Sequence, residues 1–320
     1  MIGVIGAGAF GTALAVALGQ DGREVTLWAR DPAHAAQMAQ TRINQTRLPG
    51  IKLPVSVAVS ADIDQIWRAE AVLLALPMQG MRDFLHKYAA MLDGRVLVAC
   101  CKGIDLVTLR GPCALIEKMC PKAVAAILTG PSFATDIAQG LPTALTLACA
   151  DPTEGAALQT LLSTPTLRLY RTADVIGAEL GGALKNVIAI AAGVAIGAGL
   201  GQSARAALMT RGYAEMVRAA QAMGARAETL AGLSGFGDLV LTCGSDQSRN
   251  FRYGYALAKQ TAFDPSLTVE GVATAQAMLG VAQAYNLDLP VMAMVAALTS
   301  GQISIADAIH SLLSRPLKQE

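Results

Sequence analysis

The sequence has few charged side chains, few aromatic side chains and only three histidines among its 320 residues. Charged residues make up 15% and aromatic residues 4% of the chain, and the formal net charge is +1. There is no run of basic residues and no ladder of aromatic residues, so the composition does not indicate a nucleic-acid-binding protein. Because 53% of the residues are hydrophobic, we expect much of the helix surface to be buried.

The six cysteines do not form a recognisable framework. No Cys-x-x-Cys pair occurs and the spacing between cysteines is irregular. We therefore predict no metal site and no disulfides, and we expect reduced thiols in a cytoplasmic protein. An apolar strand already begins at Ile2, which leaves no room for a signal or transit peptide.

One apolar segment, residues 186–201, contains no charged residue. A transmembrane helix needs about 20 apolar residues, and this segment is shorter. Lys185 precedes it directly. We interpret the segment as a helix buried in a core or in a subunit contact, and we predict no membrane span.

A glycine motif follows the first strand without a linker. Residues 1–5 are apolar, Gly6, Gly8 and Gly11 have the spacing G-x-G-x-x-G, and residues 12–19 have the pattern of a helix. In a βαβ unit the first glycine permits a tight turn, the second lets a pyrophosphate approach the backbone, and the third allows close helix packing. A glycine-rich turn without a ligand is the alternative. We predict a dinucleotide site.

A second predicted strand, residues 24–28, is followed by Arg30, which lies 19 residues after Gly11. A Rossmann unit places the residue that contacts the adenosine ribose at this distance. An acidic residue would bind a 2′-hydroxyl, whereas an arginine suits a 2′-phosphate. The sequence therefore favours NADP(H), with NAD(H) as the alternative. Arg30 as a surface charge, and Asp31 as the start of the next helix before Pro32, also remain open.

Alternating strand-like and helical segments fill the first half of the chain. This order predicts an α/β fold, with a doubly wound Rossmann-type sheet in residues 1–173. Strand patterns nearly disappear after residue 174, so we predict an all-helical substrate-binding domain in residues 174–320. Further strands are predicted at 55–59, 71–76, 95–100, 123–128, 144–149 and 167–170, and helices at 80–91 and 108–119.

Three loops that follow predicted strands contain candidate site residues. They are residues 76–79, 101–103 and 129–134. Lys102 could neutralise an anion or polarise a carbonyl group, and Gly130 and Ser132 could present a backbone N–H and a hydroxyl group to a ligand. Ordinary turns and a surface lysine are the alternatives.

The helical half contains a second group of candidates. Lys185 is the only charged residue between Glu179 and Arg205. It either extends to solvent or faces a polar cleft, where burial and nearby positive charge would lower its pKa towards general acid/base use. Asp238 could orient its ammonium group or could be a helix cap. The residues Ser248, Arg249 and Asn250 have the pattern of a phosphate-binding helix N-terminus, although a plain N-cap is the alternative for Ser248.

The three histidines, His34, His86 and His310, fall in predicted helices away from these loops. A lactate-type dehydrogenase with a histidine base is therefore disfavoured. If the protein transfers hydride, we expect a lysine base.

With these motifs together, the chain resembles the bacterial NAD(P)-dependent glycerol-3-phosphate dehydrogenases. The similar segments occur in the family's order along the chain. They are VIGAGAFGTALA from Val4, CKG at 101–103, TGPSFA at 129–134, GLPTAL at 140–145, GGALKNVIAI at 181–190, TRGYAEM at 210–216, GFGDLVLTC at 235–243, QSRN at 247–250 and VEG at 269–271.

The resemblance implies the interconversion of sn-glycerol 3-phosphate and dihydroxyacetone phosphate, which supplies glycerol 3-phosphate for phospholipid synthesis. It also implies a helical domain of the 6-phosphogluconate dehydrogenase C-terminal type and a homodimer built through that domain. Lys185 would be the proton acceptor, assisted by Lys102, Asp238 and Thr242. The substrate would contact Lys102, Gly130, Ser132, Lys185, Asp238, Ser248, Arg249 and Asn250. The cofactor would contact Gly6, Gly8, Ala9, Phe10, Gly11, Arg30, Lys102, Ala134, Arg249, Thr268 and Glu270.

The chain departs from the family pattern at three places. The loop 196–203 lacks acidic character, Met78 stands where a small residue is usual, and Thr268 replaces an aliphatic residue. Two other functions remain as alternatives: a related dehydrogenase of the hydroxyisobutyrate or 6-phosphogluconate type, and a non-catalytic nucleotide sensor. The presence of Lys102, Lys185, Asp238 and Arg249 together argues against the sensor.

Overall fold

A computed structural model of the protein describes residues 1–313, with side chains up to residue 310. Its N-terminal half contains an eight-stranded sheet and a separate two-stranded hairpin, β3–β4. The strands are β1 (Ile2–Ile5), β2 (Val25–Trp28), β3 (Ile43–Asn44), β4 (Leu48–Lys52), β5 (Val57–Ser60), β6 (Ala71–Leu74), β7 (Val96–Ala99), β8 (Val124–Thr129), β9 (Thr143–Cys149) and β10 (Leu167–Thr172).

The order of the strands in the sheet is β10-β9-β8-β7-β6-β1-β2-β5. All neighbouring strands are parallel except β8 and β9, which are antiparallel. The predicted Rossmann-type sheet is confirmed, but the sequence did not predict the reversal at β9 or the β3–β4 hairpin. Because six strands run in the same direction, the loops after β1, β2, β6, β7 and β8 meet at one edge of the sheet.

Helices cover the sheet and form the C-terminal half. Those around the sheet are α1 (Ala9–Gln20), α2 (Pro32–Thr41), α3 (Met78–Leu92), α4 (Pro112–Met119), α5 (Ala134–Ala138) and α6 (Pro152–Leu162). The C-terminal helices are α7 (Val175–Gly197), α8 (Gly201–Ala222), α9 (Ala227–Ala231), α10 (Asp238–Cys243), α11 (Arg249–Lys259), α12 (Glu270–Tyr285), α13 (Pro290–Thr299) and α14 (Ile305–Leu313).

The change from strands to helices lies between Thr172 and Val175. The domain limits 1–173 and 174–320 stay a prediction, and residues 314–320 lie outside the described part. The predicted helix 108–119 is too long at its start, because Leu109 has a positive φ of 55° and the helix begins only at Pro112. The predicted strand 55–59 begins at Val57 and ends at Ser60.

Helix α7 is the centre of the C-terminal half and packs against α8, α10, α11 and α12. Its length and composition would allow it to cross a membrane, but 94% of its most apolar window is buried inside the fold. A core helix has the same property. Residues 186–201, which we interpreted as a buried helix, are therefore the second half of α7 and the turn that follows it.

Glycines bring the backbones of α7 and α11 into contact. A Cβ atom at Gly193 would overlap the carbonyl oxygen of Phe251, and one at Gly254 would overlap the carbonyl oxygen of Ile190. Backbone atoms cannot move aside as the end of a side chain can. The close crossing of α7 and α11, which positions the start of α11, therefore requires glycine at both contact points.

We expect Gly254→Ala to lower the free energy of unfolding by about 1–3 kcal/mol, because the added methyl group would separate α11 from α7. Gly80→Ala is the control, since Gly80 is exposed on α3 and has open space around its Cβ position. The control should be neutral or stabilising by up to about 1 kcal/mol. Urea denaturation measures both values, and equal effects of the two substitutions would contradict the packing argument.

Candidate active site

The glycine loop after β1 has the geometry of a phosphate-binding turn. Gly6 has a φ of +112°, and a Cβ there would lie 2.5 Å from the carbonyl oxygen of Ala75. At Gly11 a Cβ would overlap the carbonyl oxygen of Gly6. The Cβ position of Gly8, by contrast, has no atom within 4 Å. The loop is therefore closed towards the sheet and open at Gly8, which fits a dinucleotide pyrophosphate at the N-terminus of α1.

A buried carboxylate joins two lysines from different parts of the chain. Asp238 Oδ2 lies 2.6 Å from Nζ of Lys102, and Asp238 Oδ1 lies 3.2 Å from Nζ of Lys185. Thr242 Oγ1 accepts a hydrogen bond from Lys185 Nζ at 2.6 Å and donates one to Asp238 Oδ1 at 3.1 Å. Lys102 Nζ also donates to the carbonyl oxygen of Gly130 at 2.8 Å. The four predicted catalytic residues thus form one hydrogen-bonded cluster.

Two glycines of α7 make this cluster possible. A Cβ at Gly181 would lie 2.7 Å from the carbonyl oxygen of Ser234, and one at Gly182 would overlap the hydroxyl group of Thr129. The π-helical turn Leu233–Gly237 and the end of β8 therefore approach the backbone of α7 directly. Lys185, about one turn further along α7, then comes within reach of Asp238 at the start of α10.

Burial controls the charge of Lys185. Its side chain is 8% exposed. Burial lowers the pKa of Lys185 to about 8, the carboxylate of Asp238 opposes this change, and the positive charge of Lys102 adds to it. A substantial fraction of Lys185 is therefore neutral slightly above neutral pH, and a neutral amine can accept a proton.

The start of α11 is a second polar feature. Ser248 Oγ accepts a hydrogen bond from the backbone N–H of Phe251 at 3.2 Å, so Ser248 is the N-cap of the helix. The Asn250 amide donates to Asn186 Oδ1 at 2.8 Å and accepts from the backbone N–H of Gly271 at 3.0 Å. Both side chains thus have protein partners. The exposed Arg249 side chain and the backbone N–H groups of Arg249 and Asn250 are left for an anion.

Other predicted contact residues lie around these features. Ser132 Oγ donates to the carbonyl oxygen of Gly130 at 3.1 Å. Glu270 Oε1 accepts from the backbone N–H of Met78 at 3.1 Å, which joins the start of α12 to the start of α3. Arg30 is exposed after β2, and Asp31 is the N-cap of α2, since it accepts from Ala33 N at 2.9 Å. Ala9 and Phe10 begin α1, Ala134 begins α5, and Thr268 lies just before α12.

Comparison with known proteins identifies the family. The model for the N-terminus of NAD-dependent glycerol-3-phosphate dehydrogenase matches residues 1–155, and the model for its C-terminus matches residues 174–310. The chain belongs to the NAD-dependent glycerol-3-phosphate dehydrogenase family. The resemblance found in the sequence is thereby confirmed, and the chain is an oxidoreductase that uses NAD or NADP.

Individual proteins named glycerol-3-phosphate dehydrogenase are similar to this chain over its whole length. A glycerol-3-phosphate dehydrogenase (NAD(P)+) of Cereibacter sphaeroides is 62% identical over 100% of both chains. One of Paracoccus denitrificans is 59% identical over 100% of this chain and 99% of the relative. The crystal structure of glycerol-3-phosphate dehydrogenase from Coxiella burnetii is 32% identical, with a TM-score of 0.93 over 98% of each chain.

Sequence reasoning missed two polar residues of α7 in this glycerol-3-phosphate dehydrogenase fold. Asn186 Nδ2 donates to the carbonyl oxygen of Lys102 at 3.3 Å, and Asn186 Oδ1 is the partner of Asn250. Glu179 accepts from the backbone N–H of Cys113 at 2.6 Å, and burial raises its pKa to about 7. Each is a polar residue in an otherwise apolar helix, which is the signal that could have identified both. Among the side chains up to residue 310, no group of three or more His, Cys, Asp or Glu residues could hold a metal ion.

Proposed function

We propose that this chain interconverts sn-glycerol 3-phosphate and dihydroxyacetone phosphate with Lys185 as the general acid/base. The contacts between Lys185, Asp238 and Lys102 are the observation that carries this proposal, because they combine a lysine of lowered pKa with a fixed positive charge. The cluster lies at the sheet edge that also carries the glycine loop. The names of the relatives supply glycerol 3-phosphate as the substrate, and removal of hydride and a proton at its C2 alcohol gives dihydroxyacetone phosphate.

The residues that would hold the cofactor come from both halves of the chain. The loop of Gly6, Gly8 and Gly11, with the start of α1, would bind the pyrophosphate. Ala9, Phe10, Arg30, Lys102, Ala134, Arg249, Thr268 and Glu270 would surround the rest. When bound, the nicotinamide supplies the group that accepts or donates hydride.

In the oxidative direction, the neutral amine of Lys185 takes the proton from the C2 hydroxyl group of the substrate. Thr242 and Asp238 hold its nitrogen in place through the hydrogen bonds described above. The ammonium group of Lys102 stabilises negative charge that develops on the substrate oxygen. In the reductive direction Lys185 returns the proton.

The phosphate group of the substrate would bind at the start of α11. The backbone N–H groups of Arg249 and Asn250 and the positive end of the helix dipole favour a dianion there. The guanidinium group of Arg249 adds a charged donor. Ser248 fixes the first turn by capping it, and Gly130 and Ser132 would contact the substrate from the loop after β8.

Arg30 supports a preference for NADP(H) over NAD(H). It is exposed at the end of β2, while the only nearby acidic residue of that loop, Asp31, uses a carboxylate oxygen to cap α2. A guanidinium group is thus available to a 2′-phosphate. From the family resemblance we also propose a homodimer in the cytoplasm that supplies glycerol 3-phosphate for phospholipid synthesis.

We expect Lys185→Ala to lower kcat for dihydroxyacetone phosphate reduction at least about a hundredfold, because the proton donor is lost. Binding of NADPH, measured by fluorescence, should be retained. Lys259→Ala removes an exposed lysine at the end of α11 and should leave turnover unchanged. Near-normal turnover of Lys185→Ala would show that another group is the acid/base.

We expect Arg30→Asp to reverse the cofactor preference, because a carboxylate repels a 2′-phosphate and accepts a hydrogen bond from a 2′-hydroxyl group. The measurement is the ratio of kcat/KM for NADPH to that for NADH, with dihydroxyacetone phosphate as substrate. Arg68→Asp is the matched control, since Arg68 is exposed just before β6, at the opposite edge of the sheet. An unchanged ratio in Arg30→Asp would remove Arg30 from the ribose site.

A further inference from the structure

A buried asparagine connects the β3–β4 hairpin to the glycine loop. Asn44 is the last residue of β3 and is 0% exposed. Its Nδ2 donates to the carbonyl oxygen of Ala7 at 3.0 Å and to Thr12 Oγ1 at 2.8 Å. Ala7 lies inside the glycine loop and Thr12 lies in the first turn of α1. One side chain therefore holds both parts of the phosphate-binding turn.

The other end of the Asn44 amide is also fully engaged. Its Oδ1 accepts from the backbone N–H of Arg47 at 3.1 Å and lies 3.0 Å from His34 Nε2. The carbonyl oxygen of Ala7 can only accept and the N–H of Arg47 can only donate, so the orientation of the amide is determined. His34 Nε2 is consequently a donor. A buried amide with four partners is held rigidly.

The hold on Ala7 determines where the next backbone N–H points. The peptide bond between Ala7 and Gly8 is trans. In a planar trans peptide the C=O and N–H groups point in opposite directions. With the carbonyl oxygen of Ala7 directed at Asn44, the N–H of Gly8 points away from the hairpin.

The conformational freedom of Gly8 makes the hydrogen bond from Asn44 to the carbonyl oxygen of Ala7 necessary. Gly8 has no Cβ and no neighbouring atom within 4 Å of that position, so the side of the loop that would receive a pyrophosphate is open. The same lack of a side chain allows the Ala7–Gly8 peptide to rotate, because glycine tolerates both signs of φ. In a rotated peptide a carbonyl oxygen, which repels phosphate, would replace the N–H.

We propose that Asn44 is a positioning residue for the dinucleotide, which keeps the N–H of Gly8 directed at the pyrophosphate. The inference rests on the proposed function, since it assumes that the glycine loop binds NAD(P)H. It assigns a role to the β3–β4 hairpin, which is separate from the main sheet. His34 supports this role from α2 by donating to Asn44 Oδ1.

The test compares replacements that remove the donor in different ways. Asn44→Asp retains the acceptor for Arg47 and His34 but replaces the amino group with an oxygen atom. Asn44→Leu and Asn44→Ala remove the donor without adding charge. We expect each to raise the dissociation constants of NADH and NADPH about tenfold, measured by fluorescence without substrate, because a bond that orients the loop is lost.

A loss of positioning and a general loss of structure give different results. At saturating cofactor, the KM for dihydroxyacetone phosphate should stay near the wild-type value, whereas a damaged fold would change both constants. Gln45→Ala is the matched control, because Gln45 is the exposed neighbour of Asn44 in the hairpin. It should bind both cofactors like the wild type.

Three other results would overturn either the role of Asn44 or the proposed function. If Asn44→Leu or Asn44→Ala keeps the wild-type circular dichroism spectrum and also binds both cofactors as tightly as the wild type, the proposed role of Asn44 is overturned. An effect in Asn44→Asp alone would reflect charge repulsion and would overturn it as well. Failure of the wild-type protein to bind either cofactor would instead overturn the proposed function.

Discussion

The site depends on one buried carboxylate that is shared by two lysines. Asp238 is 1% exposed and places one oxygen near each ammonium nitrogen. A buried carboxylate alone, or two buried lysines alone, would be strongly unfavourable, whereas the three together balance most of their charge. The cluster carries one excess positive charge when both lysines are protonated. The more deeply buried Lys185 has its pKa lowered to about 8, so it is the group suited to exchange a proton.

Close backbone packing along α7 brings these charges together. Gly181 and Gly182 allow the turn before α10 and the end of β8 to touch α7, and Gly193 does the same for α11. The proposed base Lys185, the carboxylate of Asp238 and the proposed phosphate site thus all take their positions from one helix. Asn186 extends this arrangement, because it joins the backbone of Lys102 to the side chain of Asn250. A shift of α7 would therefore move the proposed catalytic and phosphate-binding groups together.

Local patterns were sufficient to predict the Rossmann-type sheet and the glycine loop after β1, because each is encoded within a few adjacent residues. The pattern also marked Lys185 as a lone charge in an apolar helix, but its role as the base comes from the family resemblance and stays a proposal. Contacts between distant segments were not predictable in this way. Asn44 contacts Ala7 across 37 positions and Asn250 contacts Asn186 across 64, and neither segment alone indicates its partner. The antiparallel β9 could not be distinguished either, because a strand buried on both faces has the same apolar pattern in both directions. The pattern at residues 248–250 correctly predicted the start of a helix. The hydroxyl group of Ser248, however, accepts a hydrogen bond from the backbone N–H of Phe251 and so caps α11.

The most direct test of the shared carboxylate is the pH dependence of kcat/KM for sn-glycerol 3-phosphate oxidation in the wild type and in Asp238→Asn. This parameter reports the pKa of the base in the free enzyme. The wild-type value should rise with pH and level off above about pH 8, as Lys185 loses its proton. Asp238→Asn removes the charge that favours the protonated amine, so the rise should move to lower pH by about one unit or more. A rise at unchanged or higher pH would contradict the assignment of Asp238 as the group that sets the charge of Lys185.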